Sequence, residues 1–215
     1  MQAMIQTSRR SRRLLLATAA TLSLASAALA QATPDADAIA NALKPKGVTR
    51  SLSLNKLPPT PVERENAAFV ETLQAPHAKP MTGPEREKLA AVSTGRPTID
   101  LDVPFDFNSA TIGPKAMPVV KNLGAALSRP EFRGGTFMIA GHTDAKGADT
   151  VNQSLSERRA EAVKRYIVTN YGVPAANLIT VGYGKTKLKD AANPLGDANR
   201  RVQATNISDV KSAGR

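Results

Sequence analysis

Two charged side chains stand out for the chemistry they could do together. Asp144 lies in Ile139-Ala-Gly-His-Thr-Asp144-Ala-Lys-Gly147, and Arg159 lies in Leu155-Ser156-Glu-Arg-Arg159-Ala160. Asp144 falls in a turn bracketed by Gly141 and Gly147, where glycine reaches backbone conformations closed to other residues. Arg159 falls on a helix. At about 100° per residue, Leu155, Ala162 and Tyr166 lie within roughly 20° of one another, and Arg159 sits about 40° from Leu155. Val163 and Ile167 extend this apolar stripe, and Asn152 and Val151 project to it, while Glu157, Glu161, Lys164 and Arg165 lie elsewhere on the polar face. An arginine on a core-facing stripe needs a partner, because a buried unpaired charge costs of order 3–5 kcal/mol. One candidate is Asp144, in a structural ion pair. The other is an anionic ligand, held where the N-terminal half of a helix also favours negative charge.

A turn and a helix of this kind need a sheet to hold them. The segment Ile99-Asp-Leu-Asp-Val-Pro-Phe-Asp-Phe107 alternates apolar and polar residues, with Ile99, Leu101, Val103, Phe105 and Phe107 on one face. Pro104 marks it as an edge strand or a bulge. Asn108-Ser109-Ala110 reads as a turn. A first helix is expected over 115–127, where Ala116, Val119, Val120, Leu123 and Leu127 follow helical spacing. The second strand is Thr136–Ala140. The second helix is expected to begin with Asp149 as N-cap, with the capping-box pair Ser154 and Glu157 as a later alternative start, and to end at Gly172 and Pro174. Leu178–Tyr183 and Arg200–Ile207 supply two more strands, joined by a basic loop with Lys185, Lys187 and Lys189. The order is β-α-β-α-β-β: an α/β sandwich, with a four-stranded mixed sheet and two main helices on one face.

The rest of the chain reads differently. Residues 1–30 have the form of a cleaved export signal, with basic Ser8-Arg-Arg-Ser11-Arg12-Arg13, an apolar run Leu14–Leu24 and a small-residue site at Ala28-Leu29-Ala30. The run is too short for a membrane span, which needs about 20 residues. Either the general or the twin-arginine export route fits Ser11-Arg12-Arg13-Leu-Leu-Leu16. Residues 31–97 hold nine of the 15 prolines, a density that blocks long helices and a sheet. They read as a largely disordered tether with short helices near 36–43, 63–73 and 84–92 and too few apolar residues for a core of their own. Its one histidine, His77, is expected in solvent. The compact domain is 98–208, and 209–215 is a tail.

Composition narrows the function classes. The chain has no cysteine, which excludes a disulfide, a thiol nucleophile and a lipidated cysteine anchor. Its net charge of +11 favours anionic partners. Nucleic acid is disfavoured by the export signal and by basic residues that are not interleaved with aromatics. His142 beside Asp144 has no accompanying nucleophile or metal set, so neither an enzyme nor a metal site is expected, and no cofactor is implied.

Five motifs occur in order: Phe105-Asp-Phe-Asn108-Ser109-Ala110, Gly141-His-Thr-Asp144-x-x-Gly147, Asn152-x-x-Leu155-Ser156-x-x-Arg159-Ala160, Gly182-Tyr183-Gly184 and Asn199-Arg200-Arg201-Val202. Over roughly Ile99 to Ile207 they resemble the OmpA-like C-terminal, peptidoglycan-associating domain family. The resemblance implies non-covalent binding of peptidoglycan in the Gram-negative periplasm through diaminopimelate of the stem peptide, linking the envelope, with its outer membrane, to the cell wall. By position it assigns binding to Asp144, Arg159, Asn108, Asn152, Arg200 and Arg201. Strand alternation sends Arg200 and Arg201 to opposite faces, so one of them is near the site. With no lipidated cysteine, no strands patterned for a β-barrel and no membrane helix, the chain looks like a stand-alone exported member of this family. The competing reading is an envelope adaptor that docks on other envelope proteins through 31–97, with Asp144 and Arg159 only a structural pair.

Overall fold

The computed structural model describes residues 33–45, 60–74 and 81–208. The expected export signal, His77 and the tail lie outside these residues. Among these residues four strands, β1 (Thr98–Leu101), β2 (Phe137–Gly141), β3 (Leu178–Gly182) and β4 (Val202–Asn206), form one sheet in the order β1-β4-β2-β3. β2 and β3 are parallel and the other two pairings are antiparallel, so the sheet is mixed as expected. β1 is shorter than its alternating pattern: it stops at Leu101 and the chain runs irregularly through Pro104, which cannot donate to a ladder.

Among the described residues, five α-helices accompany the sheet: α1 (Ala36–Leu43), α2 (Pro61–Gln74), α3 (Gly83–Ser93), α4 (Met117–Leu127) and α5 (Asp149–Tyr171). α4 and α5 lie on one face, as read from their stripes. Val119, Val120, Leu123 and Leu127 of α4 meet Ala160, Val163 and Ile167 of α5 over Phe137, Ile139, Val202 and Ala204 of the sheet. α5 ends at Gly172, whose φ of 65° is left-handed.

The tether expectation differs most from the structure. α1 inserts Ile39, Ala40 and Leu43 into the α4–α5 core. α2 and α3 cover the opposite face, where Val70, Leu73, Leu89 and Val92 pack on Met138, Ala140, Ile179 and Val181. These helices have no core of their own, as their sparse apolar residues imply, but they complete the sheet's two cores. Each begins on a local cap. The Asp35 carboxylate accepts from the Ala38 amide at 2.7 Å, and Thr60 with Glu63 and Thr82 with Glu85 bond each other's amides. Leu89 is fully buried, so Leu89→Ala is expected to cost about 2–5 kcal/mol by chemical denaturation. A change near zero would mean that α3 lies free of the sheet.

Candidate functional site

The first half of α5 rests directly on the C-terminal ends of β2 and β3, because both strands end in glycine. A Cβ on Gly141 would lie 2.2 Å from the Ser156 carbonyl oxygen, and one on Gly182 would lie 2.4 Å from Ser156 Oγ. Ser156 is fully buried, donates its hydroxyl to the Gln153 carbonyl at 2.8 Å and accepts the Gly184 amide at 2.9 Å. This contact sets the helix over the strand ends and so places Asn152 and Arg159, which flank Ser156, beside the turn that carries Asp144.

Arg159 is 6% exposed. The partner expected from the sequence, Asp144, is not in an ion pair with it. Arg159 Nε donates to the Ser109 carbonyl at 2.9 Å and Nη2 to the Asp106 carbonyl at 3.3 Å, and the guanidinium lies 4.8 Å above the Phe105 ring. Nη1 has no protein partner among the described residues. Backbone carbonyls and an aromatic face hold the cation without neutralising it, which leaves its charge for an anion. Asp144 acts on it only through space. Burial lowers the Arg159 pKa, the nearby Arg200 and Arg158 charges lower it further, and Asp144 opposes them.

Asp144 pairs instead with Arg200, Nη1 to Oδ2 at 3.1 Å. Its other oxygen accepts the Lys146 amide at 3.0 Å. Burial works against the Arg200 charge, but the hydrogen bonds to Asp144 and Asp197 outweigh it and raise its pKa. The sequence left open which arginine of the Arg200-Arg201 pair faces the site, and the structure places Arg200 there. Arg201 turns to the other side of the sheet, where its Nε donates to Asp100 at 3.0 Å and its Nη2 to the Lys187 carbonyl at 3.4 Å. The geometry therefore removes Arg201 from the expected cluster.

The two asparagines differ. Asn152 is buried and donates to the Lys146 carbonyl at 2.8 Å, closing the turn that carries Asp144. Asn108 is exposed with a left-handed φ of 52°, so its visible role is backbone geometry at the tip of the 105–109 loop. The grip of Phe105, Asp106 and Ser109 on Arg159 was not assigned from sequence. Two of those three contacts use carbonyl groups, which every residue has.

His142 is 3% exposed, and neither ring nitrogen has a hydrogen-bond partner among the described residues. It packs 5.4 Å from the Tyr183 ring. Burial, helped by the Arg201 charge and opposed by Asp100 and by the nearby Lys187 backbone, pushes its pKa down to about 3 from 6.5. A depressed folded-state value means that the unfolded chain takes up the proton first as pH falls, so this stability is present above pH 6.5 and is lost toward pH 3. The expected loss is up to about 1.4 kcal/mol per pH unit in that window. Thermal melts of His142→Phe against the parent protein should show a flatter acid slope in the variant, and equal slopes would contradict the assignment.

Among the described residues, no group of three or more acidic or histidine side chains could hold a metal, and no helix is long and apolar enough to cross a membrane. The fold and the cluster together define an α/β domain that presents a buried arginine and a half-exposed aspartate–arginine pair at one end of its sheet. Residues 104–201, just under half of the chain, match the model of the OmpA family. The chain is 39% identical over 109 residues to outer membrane porin F of Pseudomonas fluorescens, covering 50% of this chain and 32% of that one. It is 35% identical over 109 residues to outer membrane protein A of Escherichia fergusonii, covering 51% and 44%. Among solved structures it is similar to the peptidoglycan-associated lipoprotein from Burkholderia pseudomallei, with 29% identity, a TM-score of 0.41 and coverage of 48% and 87%. The chain thus spans less than half the length of these two curated relatives.

Proposed function

We propose that this domain binds peptidoglycan non-covalently in the periplasm, reading the zwitterionic end of diaminopimelate in the stem peptide and so tying the envelope to the wall. The observation that carries the reading is the way Arg159 is held. Its guanidinium is buried and oriented by carbonyls and a ring, keeps Nη1 without a protein partner among the described residues, and stands near the carboxylate of Asp144. A ligand carboxylate can accept from this fork, and the ammonium beside it can donate to Asp144. Two opposite charges at fixed separation select a zwitterion over a lone anion or cation. The Arg200–Asp144 contact fits the ligand-free state, since Arg200 occupies one carboxylate oxygen and is itself half-exposed. Asn152 supports the reading by fixing the turn, and Asn108 by shaping the loop that holds Arg159.

The test is calorimetric titration with a synthetic stem peptide containing diaminopimelate, alongside the same peptide with lysine in its place. The reading expects the first to bind and the second, which lacks the distal carboxylate, to bind far more weakly. Arg159→Lys keeps the charge and loses the fork, and with it about 1.5–3 kcal/mol of charged hydrogen bonding, or roughly ten- to a hundredfold in affinity. Equal binding by Arg159→Lys would refute the fork.

A further inference from the structure

Two exposed side chains meet at the mouth of the site and have no part in the account so far. Phe107 is 90% exposed, the most exposed of the large apolar residues among the described ones. Lys146 Nζ lies 5.9 Å from the centre of its ring. Lys146 is exposed and has no carboxylate partner among the described residues, whereas Lys185, Lys187 and Lys189 are all paired.

Neither side chain is placed at random. The Lys146 backbone is fixed on both sides by site residues: its amide donates to Asp144 Oδ1 and its carbonyl accepts from Asn152. The Phe107 backbone lies between the two carbonyls, Asp106 and Ser109, that Arg159 grips, and the left-handed Asn108 turns the loop tip there. The side chains that read the zwitterion thus also anchor the two loops from which Phe107 and Lys146 project. An ammonium over an aromatic face is a weak contact at this distance and exposure, so both groups remain available.

We propose that Phe107 and Lys146 form an outer subsite for a second carboxylate on a short aliphatic stem, adjoining the zwitterion in the same ligand. Lys146 takes the carboxylate, and the Phe107 ring covers the stem that carries it. This rests on the diaminopimelate reading and deepens it: the preferred stem peptide carries a free carboxylate on the residue flanking diaminopimelate, and amidation of that group weakens binding.

The experiment is a titration of the full chain with two synthetic peptides in which glutamate precedes diaminopimelate, one with that glutamate's α-carboxyl free and one with it as the carboxamide. The parent protein is expected to prefer the free acid by roughly three- to fivefold, the upper part of the range of an exposed ion pair, with the preference shrinking as salt is raised. Lys146→Gln should bind the two forms equally, at the parent's affinity for the carboxamide. Phe107→Ala should weaken both forms severalfold. Both positions are exposed, so folding is not at stake. Equal affinity of the parent for the two peptides, or an intact preference in Lys146→Gln, overturns the outer subsite while leaving the inner one standing. If the parent binds neither peptide, both readings fail.

Discussion

Asp144→Ala is expected to lower affinity for a diaminopimelate stem peptide by a hundredfold or more. Removing one member of a partly buried charge constellation typically costs about 2–5 kcal/mol, or roughly thirty- to several-thousandfold. The upper part of that range applies for a reason visible in the site. Arg200 already acts against the Arg159 charge, and Asp144 is what offsets it. Without Asp144, Arg200 keeps Asp197 as a partner, but the charges that act on Arg159 are then those of Arg200 and Arg158, and the ammonium of a ligand would approach a more positive field. Asp144→Asn separates charge from shape, since its amide oxygen can still accept from the Lys146 backbone. It should lose nearly as much affinity as the alanine variant and keep the parent's stability. Near-parent binding by Asp144→Asn, read by calorimetry, would show that the carboxylate's charge is not what the ligand meets.

Gly141→Ala should be the most damaging single methyl added at the strand ends. The added Cβ would lie 2.2 Å from the Ser156 carbonyl oxygen and 2.9 Å from its carbon, both backbone atoms that no rotamer change can move away. Overpacking of this kind costs about 1–3 kcal/mol and sometimes more, which for a chain of this size lowers the melting temperature by roughly 2–4 °C per kcal/mol. Because the clash pushes α5 off β2, it also moves Arg159 relative to Asp144, so binding should fall with stability. Gly113→Ala is the control: nothing lies within 4 Å of its Cβ position, and both properties should stay near the parent's. A Gly141→Ala variant that melts with the parent would mean that helix and strand are not in this close contact.

The α4–α5 half of the fold was legible because its signals are periodic. The stripes on both helices, the glycine stop at Gly172 and the β-rich runs at 136–140 and 178–183 each rest on one local rule, and the mixed four-stranded sheet follows from their order. In the segment before it the three short helices were legible, but weighing their apolar residues in isolation hid where they pack. The neglected signal lay in the sheet: Phe137-Met138-Ile139-Ala140 is apolar at successive positions, so both faces of β2 need cover. Val70 and Leu89 supply that cover, and the capping pairs Thr60–Glu63 and Thr82–Glu85 mark where their helices begin.

The site was legible in its residue types and less so in its pairings. Asp144 and Arg159 stand out as a carboxylate in a turn and a cation on a core stripe. That Arg159 turns to the carbonyls of Asp106 and Ser109 while Asp144 turns to Arg200 depends on how the 105–109 loop folds back across α5. Backbone carbonyls leave no trace in a sequence. Strand alternation is not what separates Arg200 from Arg201, because β4 begins only at Val202 and both precede it; the pairing of Arg201 with Asp100 decides which one leaves the cluster.

Co-sedimentation with purified cell walls tests the central claim most directly. The protein should pellet with sacculi whose stem peptides carry diaminopimelate, and stay in the supernatant with sacculi that carry lysine at that position. Pelleting equally with both would contradict recognition of the zwitterion, and failure to pellet with either would remove the wall as the ligand of this domain.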